Sequence, residues 1–345
     1  MKLKNILGFL RDIAIAAGII GVLLLAIFLY TGNWPPMVVI ESDSMQHGDD
    51  SELGVIDTGD LVLVKELDGD KDLVSYVKGR ATGYKTYSEY GDVIIYRKNG
   101  GADTPVIHRP VLYLNVNETT NNSFDIPNLK KLEYGKEMDW YITISENTLI
   151  TKARWYNLGE NHQIHINEYG YARVHLKINL MLITKNFGDH GMHDGFITVG
   201  DRNAARNAGS CVDQEHLETN PSSKEKVRPV KTEWIIGKAR GELPWFGIVK
   251  LKFSGEEKNE FPSTSIYMMF VTLAVVIALP IVVDFIYHVI KKKIKGDTNT
   301  EDEKDKKGED PDAPEDSSQD NDDETPIPLK RSSGEIPPDD NSSNK

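Results

Sequence analysis

With a single cysteine, Cys211, among 345 residues, the chain can form no intrachain disulfide and no Cys-x-x-Cys metal or redox pair. Cys211 itself reads as a small loop residue, and a thiol nucleophile is the weaker alternative. There is no Gly-x-Ser-x-Gly and no His-Glu-x-x-His string, so the serine-hydrolase elbow and the zinc-protease helix are both missing. A basic excess is missing too. The net charge of −13 argues against a nucleic-acid partner, because a phosphate backbone calls for a positive surface. That charge is uneven: Lys295 to Lys345 holds 17 acidic and 7 basic residues, so about −10 lies at that end and the rest is near neutral. Residues after Gly296 have almost no large apolar side chains and cannot bury enough surface to fold. Residues 291–345 are therefore expected to be a disordered acidic tail.

Two long uncharged apolar runs are present. Ile13 to Tyr30 is long enough to cross a bilayer as a slightly tilted helix. Lys2, Lys4 and Arg11 precede it, and basic flanks stay in the cytoplasm. Leu29-Tyr30-Thr31-Gly32-Asn33-Trp34 offers no small-x-small cleavage site, so the run reads as an uncleaved anchor rather than a removable signal. The second run, Ile266 to Val283, contains Pro280, where a kink is expected, and is followed by Asp284 near the interface and by Lys291-Lys292-Lys293-Ile294-Lys295. The expected arrangement is a two-pass protein of the cell membrane. Residues 1–12 are cytoplasmic, 13–31 span, 34–262 lie outside, 265–290 span back, and both termini are inside. Asp284 takes a structural role at the membrane edge.

The outer segment carries short β-branched runs at Met37–Ile40, Leu61–Val64, Val93–Tyr96, Val111–Leu114, Trp140–Ile144, Phe196–Val199 and Trp234–Ile236. Gly, Asp and Asn clusters separate them, as strand punctuation does. Tyr171 to Ile183 alternates polar and apolar and reads as one half-buried strand with His175 on its polar side. Gly59-Asp60 and Gly91-Asp92 read as turns entering strands. The expected fold class is mainly β, with a transmembrane helix at each end.

Hydrolysis by serine needs a hydroxyl, a base for its proton and donors for the oxyanion. Just after the first span, Val38-Val39-Ile40-Glu41-Ser42-Asp43-Ser44-Met45 ends a strand and delivers two serines at i and i+2, which can share a side. By spacing alone this is equally a polar turn. The string nevertheless resembles the nucleophile box of type I signal peptidases of the archaeal and endoplasmic-reticulum branch, and further boxes follow in the same order. Gly59-Asp60-Leu61-Val62-Leu63-Val64 resembles the next strand. Gly91-Asp92-Val93-Ile94-Ile95-Tyr96 with Val106-Ile107-His108-Arg109 resembles the base-bearing box. Phe196-Ile197-Thr198-Val199-Gly200-Asp201 resembles the acidic box. Trp234-Ile235-Ile236-Gly237-Lys238-Ala239-Arg240-Gly241, with Pro244 and Gly247, resembles the closing strand and loop.

The resemblance implies a signal-peptidase-like β catalytic domain that removes N-terminal signal peptides from secretory precursors. Ser44 would be the nucleophile, His108 the general base in place of the bacterial lysine, and Ser42 an oxyanion donor beside the Ser44 N–H. Imidazole suits that work, since it titrates near neutrality. Substrate would lie extended along Met37, Val38, Val39, Ile40 and Glu41, with small residues at the first and third positions before the cut. The implied partners are signal peptides of secretory preproteins and the lipid bilayer. No cofactor and no metal is called for.

The acidic box departs from the family pattern. A second Asp is expected six positions after Asp201, but Asn207 stands there and Asp213-Gln214 comes later. An insertion of about six residues accounts for this and favours Asp213 as the carboxylate that orients His108. Asp201 is then structural or supporting, and the reverse assignment stays open. His47 stands where the family has proline, and residues 115–194 form an insertion with strands of its own.

Other features receive plainer readings. His162-x-x-His165 and Asp189-His190-Gly191-Met192-His193-Asp194 read as surface histidines rather than a metal site. Asp68-Gly69-Asp70-Lys71-Asp72 is a hairpin tip that lacks the later calcium-loop positions, and Lys65 lies on a strand box not used for catalysis. Asn117-Glu118-Thr119 and Asn121-Asn122-Ser123 are glycosylation sequons on the expected outer side. The competing functions are an inactive relative that binds or scaffolds and, more remotely, a metal-dependent membrane protease.

Overall fold

A computed structural model describes residues 3–69, 72–117, 119–120, 123–144, 148–219, 224–254 and 261–305, with backbone alone for 3–6 and 293–305. In chain order the regular elements are α1 Leu3–Thr31, β1 Met37–Val39, β2 Leu61–Lys65, α2 Tyr76–Thr82, β3 Lys85–Thr86, β4 Glu89–Tyr90 and β5 Ile94–Tyr96. There follow β6 Val106–Val116, β7 Ser123–Asp125, β8 Trp140–Ile144, β9 Thr148–Leu149, β10 Leu158–Gly159, β11 His162–Tyr169 and β12 Val174–Asn179. The last are α3 Leu180–Phe187, β13 Gly195–Val199, α4 Asp201–Arg206, α5 Asp213–His216, β14 Ile235–Leu243, α6 Gly247–Ser254 and α7 Ser265–Asp305.

The chain is 38% helix and 26% strand, so the expectation of a mainly β protein is corrected to a mixed one. Much of the helix is in α1 and α7, and between these two strand residues outnumber helical ones. Within α1 and α7, Leu7–Thr31 and Ser265–Lys292 are apolar and long enough to cross a membrane. Apart from the buried end residues Thr31 and Ser265, their side chains face outward, as lipid contact requires and water does not favour. Pro280 lies inside α7. The helix continues to Asp305, so the first part of the expected disordered tail of 291–345 is helical instead. The rest of that expected tail, 306–345, lies outside the described residues.

Eight strands form one antiparallel sheet in the order β1-β2-β14-β5-β6-β7-β10, with β13 also pairing to β6. Among the described residues β1 pairs only with β2 and so forms a sheet edge. Register is set by buried faces: Val62 and Val64 of β2 point inward while Leu61, Leu63 and Lys65 are half-buried. Gly59 (φ +96) and Gly91 (φ +82) each precede a buried aspartate that leads into β2 or β5. At Gly91 a side chain would press against the Ser75–Tyr76 backbone, so the turn needs glycine.

A second sheet, β12-β11-β8-β9, belongs to the insertion. It is not a separate subdomain. Its Trp140, Ile142, Ile164, Leu176 and Ile178 share one core with Val111 and Leu112 of β6, Val199 of β13, and Cys211 and Val212 ahead of α5. The single strand expected over Tyr171–Ile183 is two elements. It is β12 as far as Asn179, whose side chain then caps α3 by accepting the Met181 N–H at 3.0 Å. The apolar residues Leu180, Ile183 and Phe187 are the buried face of that helix. Helix α2, not foreseen, starts at the cap Ser75 and ends at Gly83 in the left-handed region.

His162 and His165 are buried in β11, not on the surface as expected. His165 Nδ1 meets His175 Nε2 at 2.9 Å and its Nε2 meets Thr143 Oγ1 at 2.9 Å. Burial first, then the neighbouring His175 and Lys177, push His165 down to about 4. Glu118, Asn121 and Asn122 of the sequons, and Asp70 and Lys71 of the hairpin tip, lie outside the described residues. The Asn117 amide is occupied, donating to Asn157 Oδ1 at 2.7 Å.

Candidate active site

Strand β1 ends at Val39, and the next turn carries Ser42 and Ser44 to the mouth of a cleft of about 690 Å³. One wall is β1 and its extension, with Met37, Val38, Val39, Ile40 and Glu41 all lining it. The other is the start of β6 with Ile95 of β5, running from Thr104 to His108. Ser44 and His108, far apart in sequence, therefore face one cavity. Met45, 1% exposed, anchors the turn in a core formed with Ile40, Ile56 and Val62.

Gly200 sets how closely the turn approaches β6. A Cβ there would lie 2.6 Å from the Ser44 carbonyl oxygen and 2.8 Å from His108 Nε2. Ser44 and His108 thus flank one point, and any side chain at 200 would drive them apart. The Ser44 carbonyl accepts the Arg202 N–H at 2.9 Å. Arg202 also donates to the Gly48 carbonyl at 2.6 Å and pairs with Asp49 at 2.5 Å, while Arg206 pairs with Asp43 at 2.7 Å. The two ends of α4 therefore clamp both sides of Ser44. Among the described residues the Ser44 hydroxyl is hydrogen-bonded to the Ser42 hydroxyl at 3.3 Å rather than to His108. Hydrogen bonds between a nucleophile and its base are often long or unmade in structures without a ligand.

Adjacent residues on a strand face opposite sides, and on β6 this sends His108 and Arg109 to different acids. His108 Nδ1 donates to Asp213 Oδ2 at 2.7 Å, with both side chains nearly inaccessible. The same oxygen accepts Thr198 Oγ1 at 2.6 Å and Tyr96 OH at 2.8 Å. Gln214 braces Thr198 by accepting its N–H at 2.9 Å and donating to its hydroxyl at 3.2 Å. Three donors fix this carboxylate, and the carboxylate fixes the imidazole tautomer, leaving Nε2 with a lone pair. Burial, then the Asp213 charge, push the Tyr96 phenol well above its ordinary range, so it remains a donor.

Asp201 does different work. It holds Arg109 by two bonds, Nε to Oδ1 at 2.9 Å and Nη2 to Oδ2 at 2.7 Å, a bidentate pair with strict geometry. Arg109 Nη1 also donates to the carbonyls of Thr86, Tyr90 and Gly91 at 3.1–3.2 Å. Burial raises the Asp201 pKa, but the Arg109 charge and the His47 and Arg109 hydrogen bonds outweigh it and hold the carboxyl down to about 2. His47, standing in the expected proline position, meets Asp201 Oδ2 at 3.1 Å and stacks on Tyr171 with ring centres 4.2 Å apart. In space the two aspartates have different partners: Asp213 meets His108, and Asp201 ties the Ser44 turn to β6 through His47 and Arg109.

Thr198, Tyr96, Gln214, Arg109 and Arg202 were not singled out from sequence. Tyr96 and Thr198 sit inside boxes that the resemblance covers, but a strand pattern does not report which hydroxyl is buried beside an acid. Lys65 pairs with Asp68 at 3.7 Å and does not line the cleft. Burial pushes the Cys211 thiol up to about 12, which leaves it protonated and a poor nucleophile.

The loop joining the Ser44 turn to β2 carries a buried acid of its own. Asp60 accepts the backbone N–H groups of Trp245 and Asp57, each at 2.9 Å. Burial outweighs these bonds and raises its carboxyl from 3.8 to about 7. A raised folded-state pKa favours the protonated fold, so this contribution to stability is complete below pH 3.8 and lost as pH climbs through 7. Thermal melts of the detergent-solubilised protein between pH 4 and 8 are expected to show a smaller loss of Tm with rising pH in Asp60→Asn than in wild type. Equal slopes would refute the assignment.

No protein-family model matches the chain, and no curated protein matches it in sequence.

Proposed function

We propose that this chain is a membrane-bound serine endopeptidase of the type I signal peptidase kind. Ser44 is the nucleophile, His108 the general base, Asp213 the orienting acid and Ser42 an oxyanion donor. The observation that carries the reading is the buried His108–Asp213 bond of 2.7 Å at the end of the cleft that Ser42 and Ser44 also line. A hydroxyl, an imidazole fixed by a carboxylate, and a second hydroxyl 3.3 Å from the first are the parts that acyl transfer needs. His108 takes the Ser44 proton as Oγ attacks the scissile carbonyl, then gives it to the departing amine. Water, activated by the same imidazole, releases the acyl group.

The cleft favours an extended peptide. The unpaired side of β1 offers backbone N–H and C=O groups along one wall, so a substrate strand gains main-chain hydrogen bonds by lying beside it. Ile40, Ile95 and Ile107 make that cavity apolar, in keeping with small apolar side chains before the cut. Two apolar helices, Leu7–Thr31 and Ser265–Lys292, support a site held at a membrane whose substrates bring an apolar segment of their own. In this reading both termini are cytoplasmic and the site faces the opposite side.

The test is incubation of full-length protein in detergent with a secretory precursor bearing an Ala-x-Ala site, followed by labelling with a serine-acylating probe. The expected result is cleavage after the second Ala and a probe adduct on the peptide containing Ser44. Folded protein that neither cleaves nor is labelled would overturn the proposal and leave an inactive relative that binds or scaffolds.

A further inference from the structure

His108 borders two cavities. Besides the cleft that holds Ser44, His108 also lines a second cavity of about 450 Å³, and both share His108, Asn203 and Leu217. The two differ in chemistry. The first is walled mainly by aliphatic residues of β1, β5 and β6, the second by Asn203, Asn207, Ser210, Asp213 and His216 together with Cys211 and Leu217. Amides, a hydroxyl and an imidazole thus line a space directly beside the base.

This second wall is built from the segment that the acidic box holds in excess, the loop between α4 and α5. It is rigidly mounted. Gly209 (φ +79) lies against β12 so closely that a Cβ would come 2.1 Å from the His175 carbonyl oxygen. Its own carbonyl accepts the Lys177 N–H at 3.0 Å. Asn207 donates its amide to the Asn203 carbonyl at 2.9 Å, and the Ser210 N–H bonds to the Asn207 carbonyl at 3.0 Å. Behind the loop, Glu215 Oε1 accepts the Asn179 N–H at 2.6 Å and Asn186 donates to the Gln214 carbonyl at 2.5 Å. The insertion at 115–194 therefore buttresses both Asp213 and the polar wall, so the cavity is shaped before substrate arrives.

In acyl transfer the base returns its proton to the leaving amine, which must then lie against His108 Nε2, and the chain beyond that amine departs past the ring. We propose that the second cavity receives the first residue after the cut and selects short hydroxyl or amide side chains there over large apolar ones. This inference rests on the serine-endopeptidase reading. It assigns the α4–α5 loop as the recognition element for the start of the released product, with Asn207 and Ser210 as specificity determinants.

The experiment uses full-length protein in detergent and precursors identical except for Ser, Asn, Leu or Phe directly after an Ala-x-Ala site. Wild type is expected to cleave the Ser and Asn forms with kcat/KM about tenfold above the Leu and Phe forms, since burying an apolar group against unsatisfied polar ones is costly. In Asn207→Leu, and separately in Ser210→Val, that ratio is expected to fall toward one or invert. A ratio near one in wild type, or an unchanged ratio in both variants, overturns the inference while the peptidase reading stands. No cleavage of any precursor by folded wild type overturns the peptidase reading itself, and this inference with it.

Discussion

On the proposed peptidase reading, Ser44→Ala and His108→Ala are each expected to lower kcat toward an Ala-x-Ala precursor about a million-fold, and the double variant no further, because a nucleophile and its base act as one unit. Asp213→Asn is expected to cost about 10⁴-fold, because a neutral amide stabilises the imidazolium that forms during attack far less than a carboxylate does. The protein should remain folded in all of these. Ser44 is only half-buried, and at 213 the amide oxygen can still accept Tyr96 and Thr198. Single-turnover kinetics in detergent, with circular dichroism to verify folding, measures each effect. Wild-type rates in Asp213→Asn would remove that residue from the site. A loss confined to Asp201→Asn, in folded protein, would restore the reverse assignment.

That assignment shows where sequence stops informing. The order of boxes points to both aspartates and to a loop longer by about six residues. What decides between them is a path in space: β13 leads through Gly200 into α4, and the loop then doubles back across β12 to bring Asp213 beneath His108. Alternation along β6 already requires His108 and Arg109 to face apart, so the two acids had to serve different partners. It does not say which acid meets which. Only the contacts of Thr198 and Tyr96 on Asp213, and of His47 on Asp201, carry that information.

The fold divides in the same way. Strands β1, β2, β5, β8 and β13 are legible because short β-branched runs bounded by turn residues have few other uses. Helix α3 is not, because Leu180 and Leu182 continue the alternation of Val174, Leu176 and Ile178 in β12, and what turns the chain is a cap from the Asn179 side chain. Strand β11 went unrecognised because Gln163 and His165, polar in composition, are buried there. The insertion has strands of its own, yet its dependence on the main core rests on long-range packing of Leu176 and Ile178 with Cys211 and Val212, which no local pattern records.

Arg109→Met is expected to destabilise the sheet domain by about 3–5 kcal/mol, since it leaves the Asp201 carboxylate buried without its cation. Asp201→Asn, which strands the guanidinium instead, belongs in the same range. Both side chains are almost wholly inaccessible, so water cannot take the missing partner's place. The double variant Arg109→Met/Asp201→Leu should recover part of the loss, because removing both charges removes the desolvation cost of each. Recovery stays incomplete, for the carbonyls of Thr86, Tyr90 and Gly91 also lose a donor, at roughly 1–3 kcal/mol for each acceptor left unsatisfied. Denaturant titration of the detergent-solubilised variants at pH 7 reads these differences. Additive losses in the double variant would show that Arg109 and Asp201 do not act as a pair. The pH dependence separates this acid from Asp60. With its folded-state pKa depressed to about 2, Asp201 contributes stability that is present above pH 3.8 and lost as pH falls through 2. The wild type should therefore lose stability below pH 4 more steeply than Arg109→Met, in which the pair that holds the carboxyl ionised is already gone.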